Sequence, residues 1–316
     1  MNQKAFYWGH SKRYNDFPTY FKNMFSERVQ KVSVDGGFTC PNRDGKKGYG
    51  GCTYCNNKTF KPTYCNLENS VTSQVEQGIR FFEKKYKSMR FLAYFQAYTS
   101  SYAPVEDLVE LYEEALKHPK IVGLVISTRP DALQEKLLDY LEELRKKVYV
   151  MVEFGLESHL DITLEKINRG HTFTESVRAL EATSQRGINN GAHLILGLPG
   201  ETRKDWLNQA RTISELPLKN LKLHQLQIHR GTVMEKQYRE NPEQFHIFSA
   251  EEYIELVVDY LELLNPKIIV ERFISQAPPE LLIAPKWGLK NFEFVAKVEK
   301  LLKERDTWQG RLYKSG

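Results

Sequence analysis

All four cysteines of the chain lie between residues 40 and 65, and their spacing suits the binding of a metal cluster. Eleven residues separate Cys40 from Cys52, and two separate Cys52 from Cys55. Three thiolates in one loop could bind three irons of a [4Fe–4S] cluster and leave the fourth iron open. An open metal position is what catalysis requires, whereas a site closed by four protein ligands is structural.

A zinc site is the alternative, because Cys65 follows Cys55 after nine further residues and would complete a four-thiolate set. Two details favour the iron–sulfur cluster. Tyr54 directly precedes Cys55 and could pack beside a cluster, and the loop follows a predicted strand instead of forming an independent ribbon. We therefore expect Cys65 to be a bystander and not a ligand.

Strand and helix patterns alternate along the rest of the chain. Strands are predicted at residues 29–35, 90–96, 120–128, 148–158, 191–202 and 220–232. This alternation implies right-handed crossovers and a parallel sheet, and no GxGxxG motif follows the first strand, which disfavours a dinucleotide-binding fold. We predict an α/β fold: a partial (β/α)6 TIM-like barrel with a small C-terminal α+β extension. In such barrels the chemistry lies at the C-terminal ends of the strands.

The same patterns suggest three regions. Residues 1–29 are rich in aromatic and basic side chains and predict an N-terminal arm or a short helix. Residues 30–235 hold the predicted barrel. Residues 236–316 hold two amphipathic helices around a short strand at 268–273, which we interpret as the extension.

Composition narrows the class of protein. The chain has 316 residues, of which 41% are hydrophobic and 27% charged, so it can bury a core and is not globally disordered. The formal net charge of +5 permits an acidic partner such as RNA without requiring one. No apolar run approaches the roughly 20 residues of a membrane span, and the N-terminus lacks a signal-peptide pattern. We therefore expect a cytoplasmic protein with reduced cysteines and no membrane partner.

Charged and polar side chains occur where buried strands are predicted to end. Glu153, Glu157 and Arg169 fall within or after one such strand, and buried charges need partners. Glu157 and Arg169 could form a structural ion pair or could bind a ligand. His229 could reach a substrate from the last predicted strand, although a strand histidine is more often satisfied by neighbours or exposed.

The loop CPNRDGKKGYGGCTYCNN (40–57) resembles the cluster loop of the radical S-adenosylmethionine (SAM) superfamily, although its first two cysteines are more widely spaced than is usual there. The motifs YFQAYTSSYAP, STRPD, EFGLES, INRGH and LILGLPGE follow in order and are similar to the YhcC/YtqA (MnmL-type) group. That group is related to the radical SAM domain of the Elongator catalytic subunit. The resemblance implies a [4Fe–4S] cluster and SAM as cofactors, and cleavage of SAM to a 5′-deoxyadenosyl radical that abstracts hydrogen from a substrate.

The resemblance also implies residue roles. It assigns the cluster to Cys40, Cys52 and Cys55. SAM contacts are expected from residues at the later strand ends: Gln96, Thr99, Thr128, Glu157, Arg169 and Gly197. No catalytic residue beyond these cofactor contacts is assigned.

The implied substrate is a tRNA wobble uridine that carries a 5-carboxymethylaminomethyl group, converted towards the 5-aminomethyl form. The implied partners are tRNA and an electron donor such as flavodoxin or ferredoxin. Basic side chains of the cysteine loop could contact RNA, namely Arg43, Lys46, Lys47 and Lys58, as could the aromatic N-terminal arm. The alternatives are a zinc-stabilised RNA-binding module without catalysis, an iron–sulfur scaffold that does not use SAM, and a radical SAM enzyme with a non-RNA substrate.

Overall fold

The structure is a computed structural model that describes residues 6–59, 61–84 and 88–314. Its centre is a curved sheet of seven parallel strands in which neighbours in space follow the order of the chain. The strands are β1 (Val29–Val34), β2 (Arg90–Phe95), β3 (Ile121–Thr128), β4 (Tyr149–Glu157), β5 (Asn189–Leu196), β6 (Asn220–Gln225), β7 (Ile228–His229), β8 (Ile269–Arg272) and β9 (Leu282–Ala284). Strands β7 and β9 form a separate antiparallel pair, and the other seven form the sheet.

The described residues form ten α-helices: α1 (Phe17–Phe25), α2 (Val71–Glu83), α3 (Val105–Leu116), α4 (Glu135–Leu144), α5 (Asp161–Lys166), α6 (Phe173–Gln185), α7 (Arg203–Ser214), α8 (Val233–Glu240), α9 (Ala250–Leu263) and α10 (Asn291–Glu304). Helices that connect the strands cover the outer face of the sheet, whereas α1 packs on its inner face. The sequence pattern predicts a helix over residues 70–86 with Ser70 as its N-cap, and Ser70 does cap α2, because its side chain accepts a hydrogen bond from the Ser73 amide. Residues 85–86 of that prediction lie outside the described residues. Within the described ranges, no helix combines the length and apolar character that a membrane crossing needs.

The predicted partial barrel is confirmed, and its sheet has one strand more than the six that were expected. The additional strand, β8, comes from the segment that the sequence analysis assigned to the C-terminal extension. It pairs in parallel with β6, with Asn220 opposite Ile269 and Lys222 opposite Arg272. Part of the region after residue 235 therefore completes the barrel. The domain boundary itself stays a prediction.

The N-terminal helix closes the inner face of the half-barrel. Phe17 and Phe21 on α1 pack with barrel residues such as Leu92 and Met151, and Phe21 is almost fully buried. Tyr14 is also buried in the core. These three aromatic side chains stabilise the fold through burial. They are therefore not available for the stacking on RNA bases that the sequence pattern of the arm suggested. Residues 1–5 of the expected arm lie outside the described residues.

Candidate functional site

A cleft opens at the C-terminal ends of the parallel strands. One wall is the loop between β1 and α2, which carries the cysteines, and the other walls are the ends of β2 to β6 and β8. The space between these walls is about 1160 Å³, including open solvent at the mouth. In α/β barrels this end of the sheet holds the reacting groups, so the cleft is the candidate active site.

Three of the four cysteines line this cleft: Cys40, Cys52 and Cys55. Their loop is ordered by backbone hydrogen bonds, including one from the Cys55 amide to the Cys52 carbonyl at 3.0 Å. Gly50 and Gly51 both adopt a positive φ, so glycine is needed for the turn that delivers Cys52. The Thr53 amide donates to the Ile167 carbonyl at 2.9 Å, which ties the loop to the segment after α5.

Cys52 is buried and Cys40 and Cys55 are half-buried, and arginine side chains lie beside Cys52 and Cys55. Burial raises the pKa of Cys55, the neighbouring Cys52 raises it further, and the guanidinium of Arg43 opposes both. Arg43 Nη2 donates to the Cys55 carbonyl at 3.2 Å. Arg169 Nη1 lies 3.5 Å from Cys52 Sγ. Metal coordination deprotonates thiols outright, and these cations stabilise the resulting thiolate charge.

Cys65 lies elsewhere. Its Sγ donates to the Ser33 carbonyl at 3.0 Å, beside Asp35 and Lys61, and it lines a small separate pocket. Burial raises the pKa of its thiol to about 12. The four cysteines are therefore not gathered into the thiolate set that the zinc alternative requires. Across the described ranges, no three His, Cys, Asp or Glu side chains converge on one metal-ion position. A cubane cluster requires no such convergence, because each thiolate binds a different iron.

Five of the six residues expected to contact SAM line the same cleft: Gln96, Thr99, Thr128, Glu157 and Arg169. The hydroxyl of Thr99 and the Nε of Arg169 are buried without a hydrogen-bond partner. Unpartnered buried polar groups are rare in proteins, and a polar cofactor in the cleft would satisfy them. The Thr128 hydroxyl already pairs with that of Ser101 at 2.6 Å, so it has less capacity for a ligand.

Glu157 and Arg169 lie in contact at the end of β4. Arg169 Nη2 is 3.6 Å from Glu157 Oε1 and donates to the Gly155 carbonyl at 2.6 Å. A Cβ on Gly155 would lie 2.6 Å from the ends of both side chains, so a larger residue there would displace them. Glu157 has a φ of 67°, where the β4–β5 register shifts. Backbone strain of this kind clusters at functional sites. Burial raises the pKa of Glu157, and Arg169 opposes the shift.

Gly197 is not among the residues that line the cleft. Its φ is 96°, and a Cβ there would lie 2.7 Å from the Phe248 ring and 3.4 Å from Leu226 Cβ. The backbone conformation and the packing against this loop therefore account for the glycine. His229 does line the cleft, and burial lowers its pKa.

Two ionisable groups that no sequence motif singled out also line the cleft, His193 on β5 and Arg272 at the end of β8. Below them the inner face of the barrel holds buried charges, including Lys31, Glu153 and Lys222. Glu153 had been singled out as a charge that needs partners. Lys31 and Lys222 could have been recognised as its partners, because each is an ionisable residue within a predicted strand of the barrel.

Comparisons with known proteins identify the family of the chain. Residues 40–213 match the family model of the Radical SAM superfamily, and residues 218–304 match that of the Radical SAM C-terminal domain. The chain is 36% identical over 302 residues to Bacillus subtilis YtqA, covering 96% of this chain and 93% of YtqA. It is 26% identical over 195 residues to a tRNA uridine(34) acetyltransferase of Methanocaldococcus infernus, covering 61% of this chain and 35% of that protein.

Among solved structures, the fold is similar to that of an archaeal Methanocaldococcus infernus Elp3, with a TM-score of 0.68 and 18% identity. The match covers 89% of this chain and 64% of the Elp3 chain, so this chain spans less than two thirds of that protein. The family match overturns the alternative of a zinc-stabilised module without catalysis. The cofactors are a [4Fe–4S] cluster and SAM, as the motifs predicted. The chain belongs to the radical SAM enzyme superfamily and is a relative of YtqA.

Proposed function

We propose that Cys40, Cys52 and Cys55 hold the [4Fe–4S] cluster and that SAM binds beside it in the cleft. The observation that carries this proposal is that these three thiols line one cleft while Cys65 lines another pocket. Arg169 is the main SAM contact in this proposal, because its buried Nε has no partner. A guanidinium can bind the SAM carboxylate with two hydrogen bonds.

The remaining SAM contacts in the proposal are Gln96, Thr99, Thr128 and Glu157, at the ends of β2 to β4. When bound and reduced, the cofactors supply a 5′-deoxyadenosyl radical that removes a hydrogen atom from the substrate. The protein's own residues then bind, orient and shield the reacting groups from water. An electron donor such as flavodoxin or ferredoxin is needed to reduce the cluster.

We propose a tRNA wobble uridine as the substrate. One support is the similarity to a protein whose name describes it as acting on tRNA uridine 34. A second is the cysteine loop, which presents exposed Lys58 between the cleft-lining residues Asn57 and Thr59 and exposed Lys46 beside a neighbouring pocket. Arg43 lies over the exposed Tyr98 ring at 5.8 Å, and that ring offers a face on which a base could stack. A flipped base could enter the open cleft from this side.

The proposed reaction converts a 5-carboxymethylaminomethyl group to a 5-aminomethyl group. The methylene next to the carboxylate loses a hydrogen atom and then an electron, which leaves a C=N bond. Water adds to that bond and releases a two-carbon aldehyde acid together with the amine. The substrate thus loses two electrons, one with the hydrogen atom and one from the carbon radical, together with the proton on nitrogen. Cleavage of SAM to methionine and 5′-deoxyadenosine takes up two electrons, so the electrons balance and the external donor is needed only to reduce the cluster initially.

Nucleoside mass spectrometry of tRNA from a deletion strain tests this substrate. The proposal expects 5-carboxymethylaminomethyl uridines to accumulate and 5-aminomethyl forms to fall. Complementation with the wild-type gene should restore the profile, and a Cys52→Ala gene should not. An unchanged profile of 5-substituted uridines would remove this substrate and would leave a radical SAM enzyme that acts on another molecule.

A further inference from the structure

The inner face of the half-barrel holds a largely buried network of four charged side chains, two positive and two negative. Lys31 Nζ lies 2.5 Å from Glu153 and 2.6 Å from Glu271. Lys222 Nζ lies 2.6 Å from Glu153 and 3.1 Å from Glu271. Two ammonium groups thus face two carboxylates, and the four formal charges cancel. No carboxylate of this network is left over for a further cation.

Arg272 adds a fifth charge beside this network. It ends β8, lines the cleft and donates from Nη2 to His224 Nε2 at 3.0 Å. Its Nε is buried and has no hydrogen-bond partner. No carboxylate within the described ranges lies within 4.0 Å of its guanidinium nitrogens. Arg272 is half-buried, and its guanidinium combines a buried, unpartnered Nε with no counter-charge, so an anion that enters the cleft would gain both an ion pair and a hydrogen bond there.

The neighbouring histidines do not supply that negative charge. Arginine only donates, so His224 Nε2 must accept and the proton of a neutral ring lies on Nδ1. Burial lowers the pKa of His224 well below its ordinary value and that of His193 to about 4, so both rings are neutral near pH 7. His193 Nε2 lies 3.2 Å from Glu153 Oε2 and donates to it. The formal excess of one positive charge therefore remains at Arg272.

The two buried arginines of the cleft already have acidic partners. Arg129 donates from Nε to Asp131 Oδ1 at 2.8 Å and from Nη2 to Asp131 Oδ2 at 3.0 Å. Arg169 faces Glu157. Arg272 differs from both in having no carboxylate partner. It ends β8, whereas the proposed SAM contacts lie at the ends of β2 to β4 or shortly after them, so Arg272 belongs to a different strand of the same cleft.

We propose that Arg272 binds a carboxylate of the substrate, an inference that rests on the proposed function. A planar guanidinium matches a carboxylate through two parallel hydrogen bonds. In a carboxymethylaminomethyl group, the carbon that bears the carboxylate is also the carbon that loses the hydrogen atom. An arginine that holds the carboxylate therefore fixes the reacting carbon one bond away. Arg272 would in this way select the acidic side chain over uncharged forms of the same uridine.

The test compares two nucleosides on the anaerobic, SAM-loaded holoenzyme: 5-carboxymethylaminomethyluridine and the same nucleoside with its carboxylate converted to an amide. Calorimetry should show that wild-type protein binds the acid at least about tenfold more tightly, the scale of a charged hydrogen bond. Arg272→Gln should remove this preference. Arg272→Lys, which keeps the charge and loses the planar fork, should retain part of it. The matched control is Arg211→Gln, which replaces an exposed arginine on α7 and should keep the full preference for the acid.

Cluster absorbance and circular dichroism identify the variants that fold. If Arg272→Gln does not fold, Arg272→Lys serves as the test. An acid preference that persists unchanged in the folded Arg272 variant would overturn the inference, as would its absence in wild-type protein. A lower affinity for SAM in Arg272→Gln would also overturn it, because the arginine would then bind the cofactor. If the acid preference depends on Arg272 while tRNA from the deletion strain is unchanged, the carboxylate site stands and the proposed RNA substrate fails.

Discussion

The guanidinium of Arg169 lies 3.5 Å from the sulfur of Cys52 through its Nη1 atom. The same side chain donates to the Gly155 carbonyl through Nη2, so it connects the cysteine loop to the end of β4. The two residues are 117 positions apart in the chain, and the barrel brings them together. Because the proposed cluster and SAM sites share this arginine, SAM binding by an Arg169 variant has to be measured on protein whose cluster loading has been verified.

The first prediction concerns the cluster ligands. Alanine in place of Cys40, Cys52 or Cys55 should abolish cluster assembly, because each thiolate binds a separate iron. Cys65→Ala is the matched control and should load normally, since its thiol bonds to the Ser33 carbonyl away from the cleft. Iron and sulfide content with visible absorbance after anaerobic reconstitution is the measurement. Full loading of the Cys52 variant, or loss of the cluster in the Cys65 variant alone, would refute the assignment.

The second prediction concerns SAM. Arg169→Ala should weaken SAM binding by roughly 1.5–3 kcal/mol, the range for a hydrogen bond to a charged group. Arg186→Ala, whose guanidinium pairs with Glu135 and Asp139 on the protein surface, is the control and should leave SAM affinity unchanged. Calorimetry on cluster-loaded protein measures both. If Arg169→Ala lowers the melting temperature but leaves SAM affinity unchanged, a structural ion pair with Glu157 is the better explanation.

The third prediction concerns the stability of the loop before α7. Burial raises the pKa of Glu201 to about 7, against hydrogen bonds from Ser158 and Trp206 that lower it. The folded protein therefore holds this proton more tightly than the unfolded chain, in which the pKa is near 4.5. The associated stability is fully present below about pH 4.5 and is lost as the pH rises through about 7.

Glu201→Gln should remove this part of the pH dependence, which is on the order of 2–3 kcal/mol. Melting temperatures of wild-type and variant holoprotein at pH 5 and pH 8 measure it. The stability difference between the two proteins should shift in favour of the variant at pH 8. Glu243→Gln, at an exposed surface position, is the control. An equal pH response of wild-type protein and Glu201→Gln would be the contrary result.

The fourth prediction separates two adjacent lysines in RNA binding. Lys47 Nζ lies 3.5 Å from Asp131 and 3.9 Å from Glu175, so its charge already has partners. Lys46 Nζ instead lies 5.2 Å from the centre of the Tyr102 ring. Lys46→Glu should therefore reduce the salt dependence of tRNA binding by about one unit of slope, and Lys47→Glu by less. Binding isotherms over a range of salt concentrations test this, and an unchanged slope for Lys46→Glu would count against the proposed contact.

The order of strands and helices was predictable because buried parallel strands form apolar runs and amphipathic helices separate them. The strand at 268–273 was predicted, but its place as the seventh strand of the sheet was not, because four residues carry too little pattern to show that they pair with β6. The predicted strand 220–232 is in fact divided into β6 and β7. The amides of Gln225 and Gln227 both donate to the Ser275 carbonyl, a contact distant in sequence that local patterns do not contain.

The cysteine loop was predictable because its chemistry is concentrated in one short segment. The far side of the cleft was not, since His193, His224 and Arg272 lie on three separate strands and meet only through the register of the sheet. Arg272 in particular could be placed only after β8 was known to belong to the barrel. Gly197 belongs to a motif that the sequence made prominent, but the structure explains this glycine by its positive φ and its close packing against Phe248.

Isotope transfer tests the proposed chemistry most directly. The substrate is tRNA whose 5-carboxymethylaminomethyl uridine carries deuterium on the methylene next to the carboxylate, incubated anaerobically with reduced protein and SAM. The account predicts that 5′-deoxyadenosine acquires deuterium while the uridine becomes its 5-aminomethyl form, and that Cys52→Ala protein yields neither product. 5′-Deoxyadenosine that forms without deuterium, with the uridine left intact, would contradict the account.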